Sequence, residues 1–313
     1  LLRLLGRLFW LAVALWFAFA LIVVVAREVV LPRMNDYRDE IGARISAALG
    51  ARVTIGHIDA RWSGIRPYLD LGQVAVHDAS DRVALELGLV RTSLSWMSIP
   101  FAELRLHHLA IDGPDLQVRR DLQGRVYVAG IELAGGGGSS GFANWLLAQH
   151  EIVVRNATVR WLDERRAAPE LVLSNVNLRL VNLGARHRIG VTAEPPQAFA
   201  APIDLRADIR GRDFSRLAEW NGQIYVDVER ADLSAWRTWV DYPLDLPRGS
   251  GALTLWADLE GQRLAGFTGD LSLDDVQLRL REDLPMIDLV ALRGRIAAKL
   301  PVDGLDLAAT GLS

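Results

Sequence analysis

The sequence predicts a mainly β protein in which an N-terminal transmembrane helix precedes an extended, twisted, repetitive β-sheet with a few short helices. Three observations carry that prediction. Nineteen uncharged residues run from Leu8 to Ala26, apolar alternation of period two fills most of the chain beyond residue 50, and that alternation slips repeatedly by one residue.

A hydrocarbon core about 30 Å thick takes roughly 20 apolar residues of helix, so the first run can span a bilayer. Arg3 and Arg7 precede it and Arg27-Glu28 follow it. A cleaved secretory signal has a shorter core of about 7–15 residues and a small-x-small site. Ala18-Phe19-Ala20 fits that site loosely, but Leu21 to Val25 continue the apolar run past it. An uncleaved anchor is therefore preferred over a signal peptide. A buried helix of a soluble protein ranks last, because no second long apolar helix exists to pack around it. The two flanking arginines favour a cytoplasmic N-terminus, which places the β body outside the inner membrane.

After Pro32, the residues Met34, Tyr37, Ile41, Ile45 and Leu49 recur at helical spacing, with Glu40 and Arg44 as an i,i+4 pair and Gly50 as terminator. This amphipathic helix either packs on the start of the sheet or lies in the headgroup layer. Beyond it, Ile203, Leu205, Ala207 and Ile209 alternate with Asp204, Arg206, Asp208 and Arg210. Ile224, Val226 and Val228 alternate with Tyr225, Asp227 and Glu229, and Leu253, Leu255, Ala257 and Leu259 with Thr254, Trp256, Asp258 and Glu260. Successive strand side chains face opposite sides, so each segment has one apolar and one wet face.

The phase slips fall at His107-His108, Arg155-Asn156 and Asp274-Asp275. One extra residue in a strand is what a β-bulge requires, and it keeps the same face apolar across a bend. Repetition of this unit favours an extended sheet over one compact sandwich. Gly135 to Gly141 reads as a flexible linker, followed by a brief helix around Phe142 to Gln149. Asp213 and Ser234 are candidate caps of two further helical turns, the second containing Trp236 and Trp239. The organisation is thus a transmembrane anchor over 1–31, an amphipathic helix over 32–49, a first β unit over 50–134, a linker over 135–141 and continuing β units over 142–313. The chain begins without methionine and stops at Thr310-Gly311-Leu312-Ser313 in a strand pattern, which predicts one end of a longer protein.

Composition narrows the chemistry. Among 313 residues there is no cysteine, which excludes disulfides, thiolate metal sites and cysteine nucleophiles. Net charge is −3, and the basic residues, arginine at every position but Lys299, are scattered, so the footprint of a nucleic-acid binder is missing. The arginine bias reads as genome composition. Gly136-x-Gly138-x-x-Gly141 matches a dinucleotide fingerprint, with Asp163 downstream, but the helix after it is too short for a βαβ crossover. The six histidines, His57, His77, His107, His108, His150 and His187, show no metal spacing. The carboxylate pairs Asp163-Glu164, Asp274-Asp275 and Glu282-Asp283 sit at turns or bulges and read as solvated turn residues. No active site, metal site or cofactor site emerges.

Residues 50–78 read Gly50-Ala51-Arg52-Val53-Thr54-Ile55-Gly56-His57-Ile58-Asp59-Ala60-Arg61-Trp62-Ser63-Gly64, then Pro67, Leu69, Leu71, Val74, Val76 and Asp78. This resembles the segment after the anchor in AsmA-like proteins, where a Val-x-Ile-Gly strand precedes a Trp-x-Gly turn and a proline. Leu109-Ala110-Ile111-Asp112-Gly113-Pro114-Asp115-Leu116 is similar to the strand-Gly-Pro-strand element of that superfamily. Gly222-Gln223-Ile224-Tyr225-Val226, Asp232-Leu233-Ser234-Ala235-Trp236 and Leu255-Trp256-Ala257 resemble the YhdP branch. The resemblance covers essentially the whole chain and brings no catalytic signature.

It implies an AsmA/TamB-like β-sheet groove, anchored in the inner membrane, that carries phospholipids across the periplasm toward the outer membrane. On that reading the membrane is engaged through residues 8–26, phospholipids are the partner molecules, and a periplasmic or outer-membrane protein receives the far end. Ile203, Leu205, Ile209, Ile224, Val226, Val228, Leu253, Leu255, Leu271, Leu273, Val276, Leu278 and Leu280 are expected to line the lipid-facing side. Burial of acyl chains is favourable by roughly 25 cal/mol per Å², but the same alternation builds an ordinary sandwich core. A non-enzymatic scaffold for outer-membrane assembly, its apolar face closed on itself, is the first alternative. A tethered enzyme with its site in a missing C-terminal part is the second.

Overall fold

The computed structural model describes residues 2–313 apart from 64–65, 79, 96–104, 135–139, 241–244, 262, 280–284, 301–305 and 312. Helix α1 (Leu2–Val25) runs into a π turn over Ala26–Val30 and a 3-10 segment over Leu31–Tyr37. Within this stretch, Phe9–Val29 is long and apolar enough to cross a membrane, and none of it is buried by the rest of the chain. Helix α2 (Arg38–Leu49) follows, ended by Gly50 at φ 68°, whose N–H donates to Ser46 O. Glu40 and Arg44 pair at 2.6 Å as the spacing predicts.

The rest is one sheet. Its strands are β1 (Val53–Ser63), β2 (Arg66–His77), β3 (Val83–Leu94), β4 (Leu106–Asp112), β5 (Asp115–Arg120), β6 (Val126–Val128), β7 (Ile131–Ala134), β8 (Glu151–Asp163) and β9 (Leu171–Leu183). They continue through β10 (Arg186–Glu194), β11 (Ile203–Arg210), β12 (Asn221–Asp232), β13 (Asp245–Glu260), β14 (Arg263–Arg279), β15 (Ile287–Lys299) and β16 (Asp306–Thr310). Helix α3 (Ser140–Ala148) precedes β8, so it begins inside the segment read as a linker; residues 135–139 lie outside the described residues. The main path runs β1-β2-β3-β4-β8 and then in sequence to β16, with β5, β6 and β7 off it. Pairing is antiparallel except at one seam, where β4 and β5 both run parallel to β8. Gly113-Pro114 steps between β4 and β5 without losing register against β8, because Gly113 N–H donates to Arg155 O and Pro114 O accepts from Thr158 N–H.

Register slips occur at all three places where the sequence changes phase: opposite His107 between β3 and β4, at Asn156 in β8 and at Asp275 in β14. Asn156 (φ 52°) and Asp275 (φ 50°) are left-handed, a conformation that short Asn and Asp side chains tolerate best after glycine. Each bulge resets the alternation so that apolar residues stay on one face. Among the described residues, β1 and β16 pair with one neighbour each, so the sheet is open rather than closed. The free edge of β1 is partly capped: Val53 N–H donates to Ser46 Oγ at 2.8 Å and Ile58 N–H to Asn35 Oδ1 at 3.1 Å. Side chains thus satisfy amides that would otherwise template pairing with another chain.

Two local expectations need correction. The turn after β12, α4 (Leu233–Trp236), is capped by Asp232 rather than Ser234; Asp232 Oδ1 accepts from Ser234 N–H and Ala235 N–H. A carboxylate ending a strand in extended conformation already stands where an N-cap must. The turn expected after Asp213 forms as a kinked 3-10 segment over Phe214–Glu219, and the Asp213 carboxylate accepts from Asn144 of α3. Asp163 is not a solvated turn residue: it is fully buried, ion-paired with Arg120 and Arg166, and its Oδ1 accepts from Arg166 N–H. Its partner Glu164 pairs with Arg119 at 3.0 Å, while Glu282-Asp283 lie outside the described residues.

The arginines also acquire a structural role beyond composition. On the wet face they pair with aspartates across strands, as in Arg186–Asp208, Arg295–Asp270 and Arg279–Asp245–Arg237. The Arg186 guanidinium holds the Asp208 carboxyl below its usual value, Arg237 with Arg279 does the same for Asp245, and Arg295 for Asp270. A carboxylate depressed in the folded state contributes stability above its unfolded pKa and loses it as pH falls through the folded value. Acid titration of the folded body is therefore expected to show constant stability from neutrality down to about pH 4 from these groups, then progressive loss below. Urea melts at stepped pH check this, and a stability that rises below pH 4 contradicts it.

Candidate functional site

Directly paired strand residues share a face, so the registers can be followed from strand to strand. One row begins at Ile58 and runs through Leu71, Val90 and Ile111, crosses the parallel seam to Val154, and continues through Leu178, Val191, Leu205, Val226 and Leu255 to Gly269 and Ile296. Every strand on the main path from β1 to β15 contributes one residue, and Gly269 alone lacks an apolar side chain. The neighbouring row runs Ala60, Leu69, Thr92, Leu109, Ile152, Leu180, Ile189, Ala207, Ile224, Ala257, Phe267 and Ala298 by the same pairings. Thr92, the one polar member, donates its hydroxyl to His108 O at 2.9 Å. At about 4.8 Å between strands, the stripe is roughly 50 Å long, well beyond the ~30 Å of a bilayer core.

The cover over this face is uneven. At the membrane-proximal end, Ile58, Leu71 and Val90 are buried in a cluster that also takes Met34, Ile41, Ile45 and Leu49 from the 3-10 segment and α2, and Trp145 and Leu146 from α3. The sheet, not a headgroup layer, receives the apolar side of α2. Further on, Leu233 of α4 joins two smaller clusters, one around Val228 and one around Leu273 and Val276. Between these covers the larger side chains of the stripe are only half-buried, while Ala207 and Ala257 are buried.

The thirteen residues expected to line the face divide accordingly. Leu205, Val226 and Leu255 stand in the first row and Ile224 in the second. Ile203, Val228, Leu253 and Leu271 form a third row. Ile209 ends the face beside His187. Leu273, Val276 and Leu278 continue along β14 beyond its neighbour row, and Leu280 lies outside the described residues. Val228, Leu273 and Val276 are buried beneath Leu233 and its neighbours. The other described ones are half-exposed on the one face.

Two features lie outside the thirteen residues singled out from the sequence. The stripe extends back through β10, β9 and β8 to β1; Leu178-x-Leu180 and Ile189-x-Val191 carried the same alternating signal. A buried polar set of Gln149, Asn182 and His187 borders the stripe where α3 meets β9 and β10, and no local pattern announced it.

The opposite face holds a recess of about 920 Å³ bounded by Arg179, Arg188, Arg206, Tyr225, Trp256 and Arg295. Each of these arginines is ion-paired, with Glu151, Asp208, Asp204 and Asp270 in turn. Arg206 also lies 5.7 Å from the Tyr225 ring, and Tyr225 meets Trp256 at 5.5 Å. This wall combines the paired arginines with the Tyr225 and Trp256 rings and with apolar atoms of Val181, Ile189, Ala207, Ile224 and Ala257. Glu151 links the two sides of the seam: burial raises its carboxyl, but hydrogen bonds from His108 and Arg179 more than offset that and leave it below the usual value. His107 stacks on His150 at 4.6 Å, and no group of three or more histidine, aspartate or glutamate side chains able to hold a metal occurs among the described residues.

Searches of curated proteins and of solved structures returned no match. A family model described as YhdP protein matches residues 1–313. With one membrane-length helix among the described residues and an open apolar sheet, the chain belongs to the YhdP family of AsmA-like proteins, non-catalytic lipid-transport-type scaffolds whose partners are phospholipid and membrane, and is a single-pass inner-membrane protein with a periplasmic β body.

Proposed function

We propose that this protein moves phospholipids from the inner membrane toward the outer membrane along the apolar stripe, with its N-terminus cytoplasmic. The observation that carries the reading is the continuity of the first row: apolar side chains hand over from strand to strand across twelve strands only if all bulges and the seam keep one phase, as they do here. An acyl chain sliding along it exchanges one apolar neighbour for the next, so the free energy per Å² of buried surface stays nearly level. The headgroup remains in water, since the half-buried stretch between the covers is open to solvent. A protein at the outer-membrane end would receive the lipid.

The rival scaffold reading requires this face to be closed by protein throughout. A photo-crosslinking residue at Leu255 in the anchored chain, expressed in a Gram-negative cell, is expected to capture phospholipid. Absence of any lipid adduct from a folded protein, or capture of protein alone, would sink the proposal in favour of the scaffold.

A further inference from the structure

The wet face gathers arginines that the sequence scatters. Arg186 and Arg188 stand on β10, and Asp208 and Arg210 on β11. Register sets Arg188 opposite Asp208 and Arg186 directly opposite Arg210. Like charges directly opposed across strands are destabilising, and one carboxylate, Asp208, stands among the three guanidiniums. Arg186 takes both of its oxygens, donating from Nε to Oδ1 at 2.7 Å and from Nη2 to Oδ2. Arg188 is left 3.7 Å from Oδ2, beyond hydrogen-bond distance. Arg210 is exposed and makes no side-chain hydrogen bond or ion pair among the described residues.

The neighbouring carboxylates do not make up the difference. In the same row Asp258 lies two strands beyond Asp208, about 10 Å away, and accepts from the Gln223 amide. Asp204 pairs with Arg206, and Glu151 with Arg179 and His108. Glu219 pairs with Arg216, and the residue in register with Arg210 on β12 is the uncharged Asn221. Arg188 and Arg210 are diagonal neighbours in the register, a spacing of about 7–8 Å that long side chains bridge. Beside them the recess of about 920 Å³ opens over Gly190, which stands in register between Arg179 and Arg206. A Cβ built on Gly190 meets nothing within 4 Å. Beyond Arg206, the Tyr225 and Trp256 rings continue the same wall.

We propose that Arg188 and Arg210 bind a phosphate monoester whose organic group occupies the recess over Gly190, against the Tyr225 and Trp256 rings. Guanidinium forks match phosphate oxygens bidentately. A phosphate monoester carries about −1.5 to −2 charges at pH 7, which meets the two guanidiniums that Asp208, already held by Arg186, leaves unmatched. A phosphodiester, a sulfonate or a carboxylate brings one negative charge and leaves one guanidinium unanswered. The ester is either a soluble small molecule or the headgroup of a lipid that ends in phosphate; the recognising chemistry is the same. The site lies on the face opposite the apolar stripe and does not depend on lipid moving along that stripe.

The test titrates the full anchored chain, in phosphatidylcholine nanodiscs, with phenyl phosphate, benzenesulfonate and dihexanoyl phosphatidic acid. Phenyl phosphate is expected to bind at least tenfold more tightly than benzenesulfonate, its singly charged analogue. Arg210→Gln removes one guanidinium and the like-charge contact with Arg186, so it is expected to weaken phenyl phosphate at least tenfold with no fall in melting temperature. Gly190→Val is compatible with a strand and fills the opening, and is expected to weaken phenyl phosphate to a similar extent. Phosphatidic acid that binds, and is weakened by Arg210→Gln, assigns the site to a lipid headgroup. Phosphatidic acid that fails to bind, or binds the variant equally, assigns it to a soluble ester. No binding of phenyl phosphate up to about 10 mM, equal affinity for benzenesulfonate, or unchanged affinity in either folded variant overturns the proposal. Should Gly190→Val not fold, Arg210→Gln and the sulfonate comparison decide.

Discussion

Asp163→Ala is expected to lower the stability of the β body by about 3–5 kcal/mol, the cost of breaking a buried ion pair from one side. Asp163 is fully buried at the end of β8, where Arg120 of β5 and Arg166 approach it. Truncation leaves the Arg120 guanidinium, itself partly buried, without its carboxylate and beside the Trp161 ring 5.8 Å away. It also removes the acceptor for Arg166 N–H that starts the 3-10 turn. Because β5 meets β8 in the parallel seam, the loss falls where the first four strands join the remainder. A stability of about 5–15 kcal/mol is usual for a domain, so this is a large share. Asp163→Asn keeps an acceptor and loses the charge, and is expected to cost less. Urea melts of the three proteins check the order; a loss under about 1 kcal/mol for Asp163→Ala contradicts the assignment.

The second large effect concerns passage rather than stability. Leu255 stands in the first row between Val226 and Gly269 and is half-buried. Leu255→Asp places a carboxylate in the path, and an acyl chain crossing it must strip that charge of water, which costs several kcal/mol. At 1.4 kcal/mol per tenfold, passage is expected to fall by at least tenfold. The readout is positional: with the substitution present, a crosslinker at Val191 on the membrane side keeps its lipid adduct, while one at Ile296 beyond the block loses it. Equal adducts at both positions would show that lipid does not travel along this row.

What the sequence made legible was the part encoded locally. Phase slips at His107, Asn156 and Asp275 appear in the structure as bulges because alternation and register are the same fact seen in one and two dimensions. The apolar face of β11 to β14 followed for that reason. The parallel seam did not: alternation in β4 and β5 says which side is apolar, not which strand lies alongside. Asp163 looked like any turn carboxylate, since its burial is made by Arg120 from β5, more than forty residues earlier. Ser234 was a plausible cap until Asp232, two residues before it, proved to hold the extended conformation that capping needs. The His187 cluster was invisible for the same cause. It gathers Gln149, Asn182 and His187 with the Gly211 carbonyl, and only tertiary packing brings them together.

The most direct measurement of the central claim is a residue-by-residue photo-crosslinking scan along β12 in the anchored chain, from Gln223 to Val228. Ile224 and Val226 lie on the apolar rows, while Tyr225 pairs with Trp256 on the wet face. Lipid adducts are expected at 224 and 226 and absent at 223, 225 and 227, with little at the covered Val228. Adducts of equal yield at 225 and 226, or at neither, would contradict a one-sided lipid track.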